Sequence, residues 1–147
     1  MTNVAYYKSY FDILPTWDNV ITALNYDITH RPNSVKVLKD LGFVTHYGYE
    51  VEIVENIRKQ IHAMRPEEEI CTAHLYISLL TISETFGWHK DDTDVFFVQA
   101  IGQTKWQLEG GLEFILSPGD MLFVAKNLMH NTIPLSPRVG ISIGFAE

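Results

Sequence analysis

The sequence contains a single cysteine and no apolar segment near its N-terminus. Cys71 is the only cysteine among 147 residues, so no intrachain disulfide can form, and a lone thiol suits a reducing compartment. The N-terminus carries Asp12 and shows no signal-peptide pattern. We therefore predict a cytoplasmic protein that does not enter a membrane.

Basic residues are also scarce. Eleven lysines and arginines stand against eighteen aspartates and glutamates, which gives a formal net charge of −7. This charge repels phosphate backbones and argues against a nucleic-acid-binding protein with an extended basic surface. The apolar fraction of 46% is that of an ordinary globular protein. Residues 1–147 are predicted to form one domain.

Residues 1–69 are predicted to be helical and irregular, and to pack on the rest of the chain. Thr16 is a good N-cap for a first helix, and residues 50–64 form a second one. Residues 31–42 are ambiguous, since Asn33 or Ser34 could cap a short helix ended by Gly42. Apolar residues recur at helical spacing in both helices: Trp17, Val20, Ile21 and Leu24 in the first, and Ile53, Ile57, Ile61 and Met64 in the second.

Residues 70–147 are predicted to be β-structure. Short apolar runs alternate with turns rich in glycine and proline, a pattern typical of a β-sandwich or barrel. Residues 72–82 place His74, Tyr76 and Ser78 on one face, and such a polar row would suit a pocket. The predicted strands are 72–82, 95–101, 104–108, 112–116, 121–125, 131–134 and 139–145.

A candidate metal site follows the first of these strands. His89 and Asp91 are two residues apart, so in extended backbone their side chains point to the same side. His130 follows a later strand and could supply a third ligand. Two imidazoles and one carboxylate form a facial triad, which favours non-haem Fe(II). Other roles stay open: His89 as a turn residue, Asp91 as a loop cap with Asp92 and Asp94 as competing carboxylates, and His130 as a core residue.

Four segments carry a resemblance to a known family. They are GWHKD at 87–91, DVFFVQ at 94–99 leading to Gly102 and Trp106, PGDMLFV at 118–124 leading to His130, and LSPRVGISIGF at 135–145. Together they resemble the cupin-like, Jumonji-C-related 2-oxoglutarate-dependent oxygenases, over about half the chain from Thr72 onward. The resemblance implies a mainly β double-stranded β-helix, a cupin or jelly-roll barrel. It also implies that His89, Asp91 and His130 bind Fe(II), with 2-oxoglutarate as cosubstrate.

The cosubstrate anchor departs from the family pattern. Jumonji-type members usually carry a basic side chain two residues past a glycine resembling Gly102, and here that residue is Thr104. We expect Arg138 to bind the cosubstrate carboxylate instead, since guanidinium suits this geometry. Arg138 as a solvated turn residue, and Tyr76 as a core aromatic, remain open. Neutral donors expected on the inner face complete the site: Tyr76, Ser78, Thr104 and Ser142.

The function predicted from these features is an Fe(II)- and 2-oxoglutarate-dependent hydroxylase acting on a small molecule or a short peptide segment. One alternative is a metal-binding cupin that performs isomerisation, hydrolysis or dioxygenation without 2-oxoglutarate, which Thr104 slightly favours. Another is a non-catalytic ligand-binding barrel, in which His89 and Asp91 cap a loop. The resemblance also allows a homodimer formed by the N-terminal helices.

Overall fold

The computed structural model describes residues 3–38, 42–47, 51–79 and 85–146. This part of the chain contains two α-helices, a 3₁₀ turn at Pro32–Ser34 and ten β-strands. The helices are α1 (Trp17–His30) and α2 (Glu52–Met64). The strands are β1 (Val4–Tyr7), β2 (Val35–Leu38), β3 (Phe43–Tyr47), β4 (Glu69–Ser78), β5 (Asp94–Ile101), β6 (Thr104–Leu108), β7 (Leu112–Leu116), β8 (Met121–Val124), β9 (His130–Pro134) and β10 (Arg138–Ala146).

The strands form two antiparallel sheets. The larger has the order β1-β8-β5-β10-β4-β3-β2, and the smaller has the order β7-β6-β9. Phe97 of β5 and Leu122 of β8 share one apolar cluster with Trp106 of β6 and Leu116 of β7, so the sheets pack face to face. The mainly β jelly-roll fold predicted for the chain, a double-stranded β-helix, is confirmed. Strand β5 is buried on both faces, as its continuous apolar run predicted.

Both predicted helices pack on the larger sheet. Thr16 caps α1 through a reciprocal capping box with Asn19. The core between helices and sheet contains Val20 of α1 and Ile57 of α2 together with residues of β4, β5 and β10. One position in each predicted stripe is wrong. Ile21 is 41% exposed, because the buried face of α1 runs through Val20, Ala23 and Asp27. Met64, the last residue of α2, is 38% exposed. The described helices include no segment with both the length and the apolar character needed to cross a bilayer.

The N-terminal part is less helical than predicted. It also supplies β1, β2 and β3, and all three join the larger sheet. Residues 35–38 form β2 rather than a helix, since they pair in antiparallel register with β3, Val35 lying opposite His46. The conformation of such a short segment is decided by pairing with another strand rather than by its own sequence. The predicted strand 72–82 corresponds to β4, with residues 80–82 lying outside the described part.

Candidate metal centre and cosubstrate pocket

The three predicted metal ligands lie together in the structure. His89 and Asp91 belong to the connection between β4 and β5, and His130 begins β9. One ligand atom from each lies within 4.8 Å of the others. The Asp91 carboxylate oxygens are 3.9 Å from His89 Nε2 and 3.4 Å from His130 Nε2. Backbone hydrogen bonds pin this connection to β9, because the N–H of each histidine donates to the carbonyl of the other at 2.9 and 2.8 Å.

Both imidazoles are oriented with Nε2 available to a metal. The Nδ1 of His89 lies 2.7 Å from the Gly87 carbonyl oxygen, and that of His130 lies 2.9 Å from the Leu128 carbonyl oxygen. Since a carbonyl only accepts, each Nδ1 carries the proton and Nε2 keeps its lone pair. Burial lowers the pKa of His130, which favours the neutral ring that coordinates metals. The pair is therefore prepared for coordination beside Asp91.

The two other carboxylates near His89 in sequence, those of Asp92 and Asp94, lie outside the ligand group. Asp94 accepts hydrogen bonds from the Arg65 guanidinium at 2.9 Å and from the Lys126 backbone N–H at 2.8 Å. Asp92 is exposed and lies outside the ligand group. The spacing of two residues from His89 therefore identified Asp91, whose carboxylate approaches both imidazoles.

A cavity between the two sheets adjoins the triad. Three of the residues predicted to bind cosubstrate line it, namely Tyr76, Arg138 and Ser142. The three predicted metal ligands also line it, and the remaining walls come from residues that the sequence did not single out for the site. Phe43 was missed because β3 was not predicted, whereas Phe97 and Trp106 lay on predicted strands without a predicted role in the site. The full lining is Phe43, Tyr76, Thr85, Phe86, His89, Asp91, Val95, Phe97, Trp106, His130, Thr132, Arg138 and Ser142.

Arg138 is buried, with part of its guanidinium unsatisfied. The residue is 1% exposed, so the alternative of a solvated turn residue is wrong. Its Nε donates to the Ser78 hydroxyl at 3.0 Å, and the guanidinium lies over the Phe43 ring. Nη1 is buried and has no hydrogen-bond partner among the described residues. Burial lowers the pKa of Arg138 to about 10, so it stays a cation at neutral pH. A buried cation with a free donor fits an anionic ligand.

The neutral donors divide into three groups. Tyr76 and Ser142 line the cavity and hydrogen-bond to each other. Burial raises the pKa of Tyr76, the negative charge of Asp91 adds to this, and the phenol is neutral at physiological pH. Ser78 orients Arg138 without lining the cavity. Thr104 was predicted to face the pocket, but it is absent from the described lining: at the start of β6 it is enclosed opposite Leu116 and Pro134.

Gly140 shapes the cavity wall on β10. A Cβ at this position would lie 2.0 Å from Cζ of Phe97, so only glycine lets that ring pack directly on the strand. Phe97 in turn contacts Trp106 edge to face at 5.0 Å. The glycine therefore sets how closely the aromatic wall approaches the larger sheet.

The residues present fit the iron and cosubstrate that the family resemblance implies. Two neutral imidazole nitrogens and a carboxylate are the donor set of non-haem Fe(II) oxygenases, and they leave coordination positions open. Arg138 offers a partner for a carboxylate in the same cavity. The cavity lining therefore combines donors for a metal ion with a free cationic donor for an anionic ligand.

Comparison with known proteins agrees with the family resemblance. Residues 50–113 match the family model described as JmjC domain. The structure of the Escherichia coli ribosomal oxygenase YcfD in complex with cobalt and 2-oxoglutarate is similar at TM-score 0.76 and 16% identity, over 98% of this chain and 48% of that one. The present chain thus spans about half the length of YcfD. No curated protein sequence matches this chain.

Two further solved structures share the fold. A Pseudomonas putida prolyl-4-hydroxylase is similar at TM-score 0.64 and 11% identity, over 99% of this chain and 92% of that one. KdgF from Halomonas sp. is similar at TM-score 0.53 and 17% identity, over 77% of this chain and 87% of that one. The chain therefore has the double-stranded β-helix fold, and its resemblance to the cupin-like, Jumonji-C-related oxygenases, which the sequence motifs indicated, is confirmed.

Proposed function

We propose that the protein is an Fe(II)- and 2-oxoglutarate-dependent oxygenase that hydroxylates a small molecule or a short peptide segment. One observation carries the proposal: the unsatisfied Nη1 of buried Arg138 shares a cavity with the open side of the histidine–aspartate triad. The similar structure of YcfD with cobalt and 2-oxoglutarate supports the same assignment. The cytoplasmic location predicted from the sequence belongs to this proposal.

His89, Asp91 and His130 would hold the metal on one side and leave the cavity side free for exogenous ligands. Arg138 would bind a carboxylate of 2-oxoglutarate, with Ser78 fixing the direction of its guanidinium. When both are bound, iron and 2-oxoglutarate supply the chemistry of this class: with O2, 2-oxoglutarate yields succinate and CO2 while one oxygen atom enters a substrate C–H bond.

The apolar walls would strengthen these polar contacts. Phe43, Phe97 and Trp106 are at most 3% exposed and enclose the cavity with hydrocarbon. Because water is displaced from such a site, the attraction between a guanidinium and a carboxylate is less screened than in solution. The same enclosure would protect a reactive intermediate from solvent. The protein's contribution is therefore orientation, charge and exclusion of water.

The rim of the metal site suits the proposed class of substrate. Phe86 is 50% exposed and lies 6.0 Å from the His89 ring, and Trp88, next to His89 in sequence, is 52% exposed. Exposed aromatic side chains beside a site commonly contact an incoming ligand. The net charge of −7 argues against nucleic acid as that ligand. A small molecule or a peptide loop fits these features.

An anaerobic titration tests the proposal. Adding 2-oxoglutarate to the Fe(II)-loaded protein should produce a visible charge-transfer absorption band, and admitting air should release succinate. Arg138→Met should weaken 2-oxoglutarate binding by about 10- to 100-fold, the size expected for a lost hydrogen bond to a charged group, with Fe(II) binding retained. Arg58→Met, which removes an arginine paired with Glu55 on α2, is the matched control.

Other results would support the rival functions. Fe(II) binding that is indifferent to 2-oxoglutarate, with no succinate formed, would indicate a metal-binding cupin with different chemistry. Failure to bind any divalent metal would indicate a non-catalytic barrel. Circular dichroism of each variant separates a binding defect from a folding defect.

A further inference from the structure

Trp106, a residue of the cavity lining, carries a second buried donor without a partner among the described residues. Trp106 lies on β6, is 3% exposed and lines the cavity together with Arg138 and the triad. Its Nε1 is buried and has no hydrogen-bond partner in the part of the chain that the structure describes. Buried indole N–H groups ordinarily find an acceptor, since an unpaired one loses its hydration without compensation. An acceptor supplied by a ligand would remove this deficit.

The indole ring is held rigidly beside the metal ligands. It stacks on the His130 imidazole, with ring centroids 5.1 Å apart and an interplanar angle of 28°. On another side, Phe97 contacts it edge to face, and Phe97 is itself fixed against Gly140. The neighbouring strand position, Thr132 of β9, also lines the cavity. The donor therefore needs little reorganisation to meet a ligand, the condition under which a hydrogen bond contributes most to binding.

The charge in the cavity favours a carboxylate as the missing acceptor. Arg138 places a buried positive charge there, and its free Nη1 can satisfy only part of a ligand with several acceptor oxygens. Asp91, the carboxylate already present, is engaged between the Nε2 atoms of His89 and His130. A dicarboxylate bound at the metal would bring further oxygen atoms to the side of the cavity that Trp106 lines.

We propose that Trp106 donates its indole N–H to a carboxylate oxygen of 2-oxoglutarate, so that a neutral tryptophan complements Arg138 in recognising the cosubstrate. The inference rests on the proposed function and extends it to a residue for which the sequence predicted no role in the site. It also explains how the pocket can bind a dicarboxylate although position 104, where related proteins usually carry a basic residue, is a threonine. The second donor is then Trp106, two residues further along β6 and on the same strand face.

Indole resonances report the hydrogen bond directly. The chain has three tryptophans, Trp17, Trp88 and Trp106, so protein labelled with ¹⁵N at the indole should give three N–H cross-peaks. Loaded with diamagnetic Zn(II) and titrated with 2-oxoglutarate, the Trp106 proton should move downfield and exchange more slowly with solvent, while the proton of Trp17, which lies outside the cavity lining, stays in place. Trp17→Phe and Trp88→Phe assign the peaks by elimination, so the assignment does not require a folded Trp106 variant.

A binding comparison provides the second measurement. Trp106→Phe keeps an aromatic ring and removes the donor, so 2-oxoglutarate affinity for the Fe(II)-loaded, oxygen-free protein should fall about tenfold. Metal affinity should change by less than about threefold, because none of the three ligands is altered. Trp17→Phe, which lies on α1 and outside the cavity lining, should leave both affinities unchanged.

Each outcome decides between the two proposals. If 2-oxoglutarate binds and the Trp106 resonance does not move, this inference is overturned and the proposed function stands. If Trp106→Phe weakens metal and cosubstrate equally, the residue only supports the fold and the inference is again overturned. If the wild-type, metal-loaded protein binds no 2-oxoglutarate, both proposals are wrong.

Discussion

The candidate metal-binding group depends on the orientation of single side chains. Two backbone carbonyls, those of Gly87 and Leu128, hold the Nδ1 atoms of His89 and His130, and so turn both Nε2 atoms toward Asp91. In each case the carbonyl belongs to the residue two positions earlier. The tautomer is thus set by local backbone, and metal binding needs no rearrangement of either ring.

Replacing Asp91, the carboxylate of the group, tests whether these three residues bind the metal. Asp91→Ala should weaken Fe(II) binding by at least about 100-fold, because the loss of an outer-shell partner alone typically costs ~10- to 100-fold. Asp92→Ala removes an equal charge one residue further on, where the side chain is exposed, and should leave affinity nearly unchanged. Isothermal titration under nitrogen measures both. Equal losses in the two variants would mean that local charge, not coordination, binds the metal.

Sequence reasoning found the three metal ligands and Arg138, but it missed the contacts that only the fold creates around them. The His-x-Asp pair is visible because strand geometry places side chains at i and i+2 on one side. The burial of Arg138 was not visible, because its neighbours Ser78 and Phe43 are distant in sequence. Trp106 looked like any core aromatic, since an unsatisfied N–H appears only once its surroundings are known.

At the scale of elements, a buried carboxylate–imidazole pair joins α1 to β3. Asp27 of α1 is 1% exposed, and its Oδ2 lies 2.5 Å from Nε2 of the fully buried His46. Arg31, one turn later, donates to the other carboxylate oxygen at 3.1 Å. Burial raises the pKa of Asp27, but the hydrogen bond and charge of His46 and the charge of Arg31 outweigh it, and the pKa lies below its ordinary value.

This pair predicts a pH-dependent stability. Because the folded-state pKa of Asp27 is depressed, its contribution is fully present above the ordinary value of 3.8 and is lost as the pH falls through the folded-state value. Asp27→Asn should cost on the order of 3 kcal/mol at pH 7, the size expected for breaking a buried pair, and progressively less below about pH 4. Urea unfolding across this range measures the difference.

The exposed Asp18 in the first turn of α1 provides the control. Asp18→Asn should change the free energy of unfolding by less than about 0.5 kcal/mol at any pH. If the difference between wild type and Asp27→Asn did not depend on pH, the carboxylate of Asp27 would not be the titrating group.

The elements that the sequence missed are those whose stability comes from partners. Strands β1 and β2 have four residues each and lie at opposite edges of the larger sheet. Their register is set by β8 and β3, and neither short segment has enough apolar alternation to indicate a strand by itself. The strands of the C-terminal half have both alternation and glycine turns, so their positions were predicted closely.

At the scale of the whole molecule, the cavity lies between the two sheets and is lined by residues of both. Tyr76, Arg138 and Ser142 come from the larger sheet, whereas Trp106 and His130 come from the smaller one. A metal-bound cosubstrate would contact both sheets at once. Because this cavity exists only when the two sheets are packed together, a ligand that binds in it should stabilise the folded chain according to its concentration and dissociation constant.

Thermal unfolding measures how much each ligand stabilises the folded protein. At ligand concentrations about 100 times the dissociation constant, binding adds ~2.7 kcal/mol to the free energy of unfolding, which for a domain of about 150 residues corresponds to roughly 5–10 °C in Tm. Without oxygen, Fe(II) should raise the Tm and 2-oxoglutarate should raise it further. Arg138→Met should keep the first increment and lose half or more of the second at the same ligand concentration, because binding weakened by about 10- to 100-fold adds only ~0.4–1.4 kcal/mol. An undiminished second increment in that variant would mean that 2-oxoglutarate stabilises the protein through the metal alone.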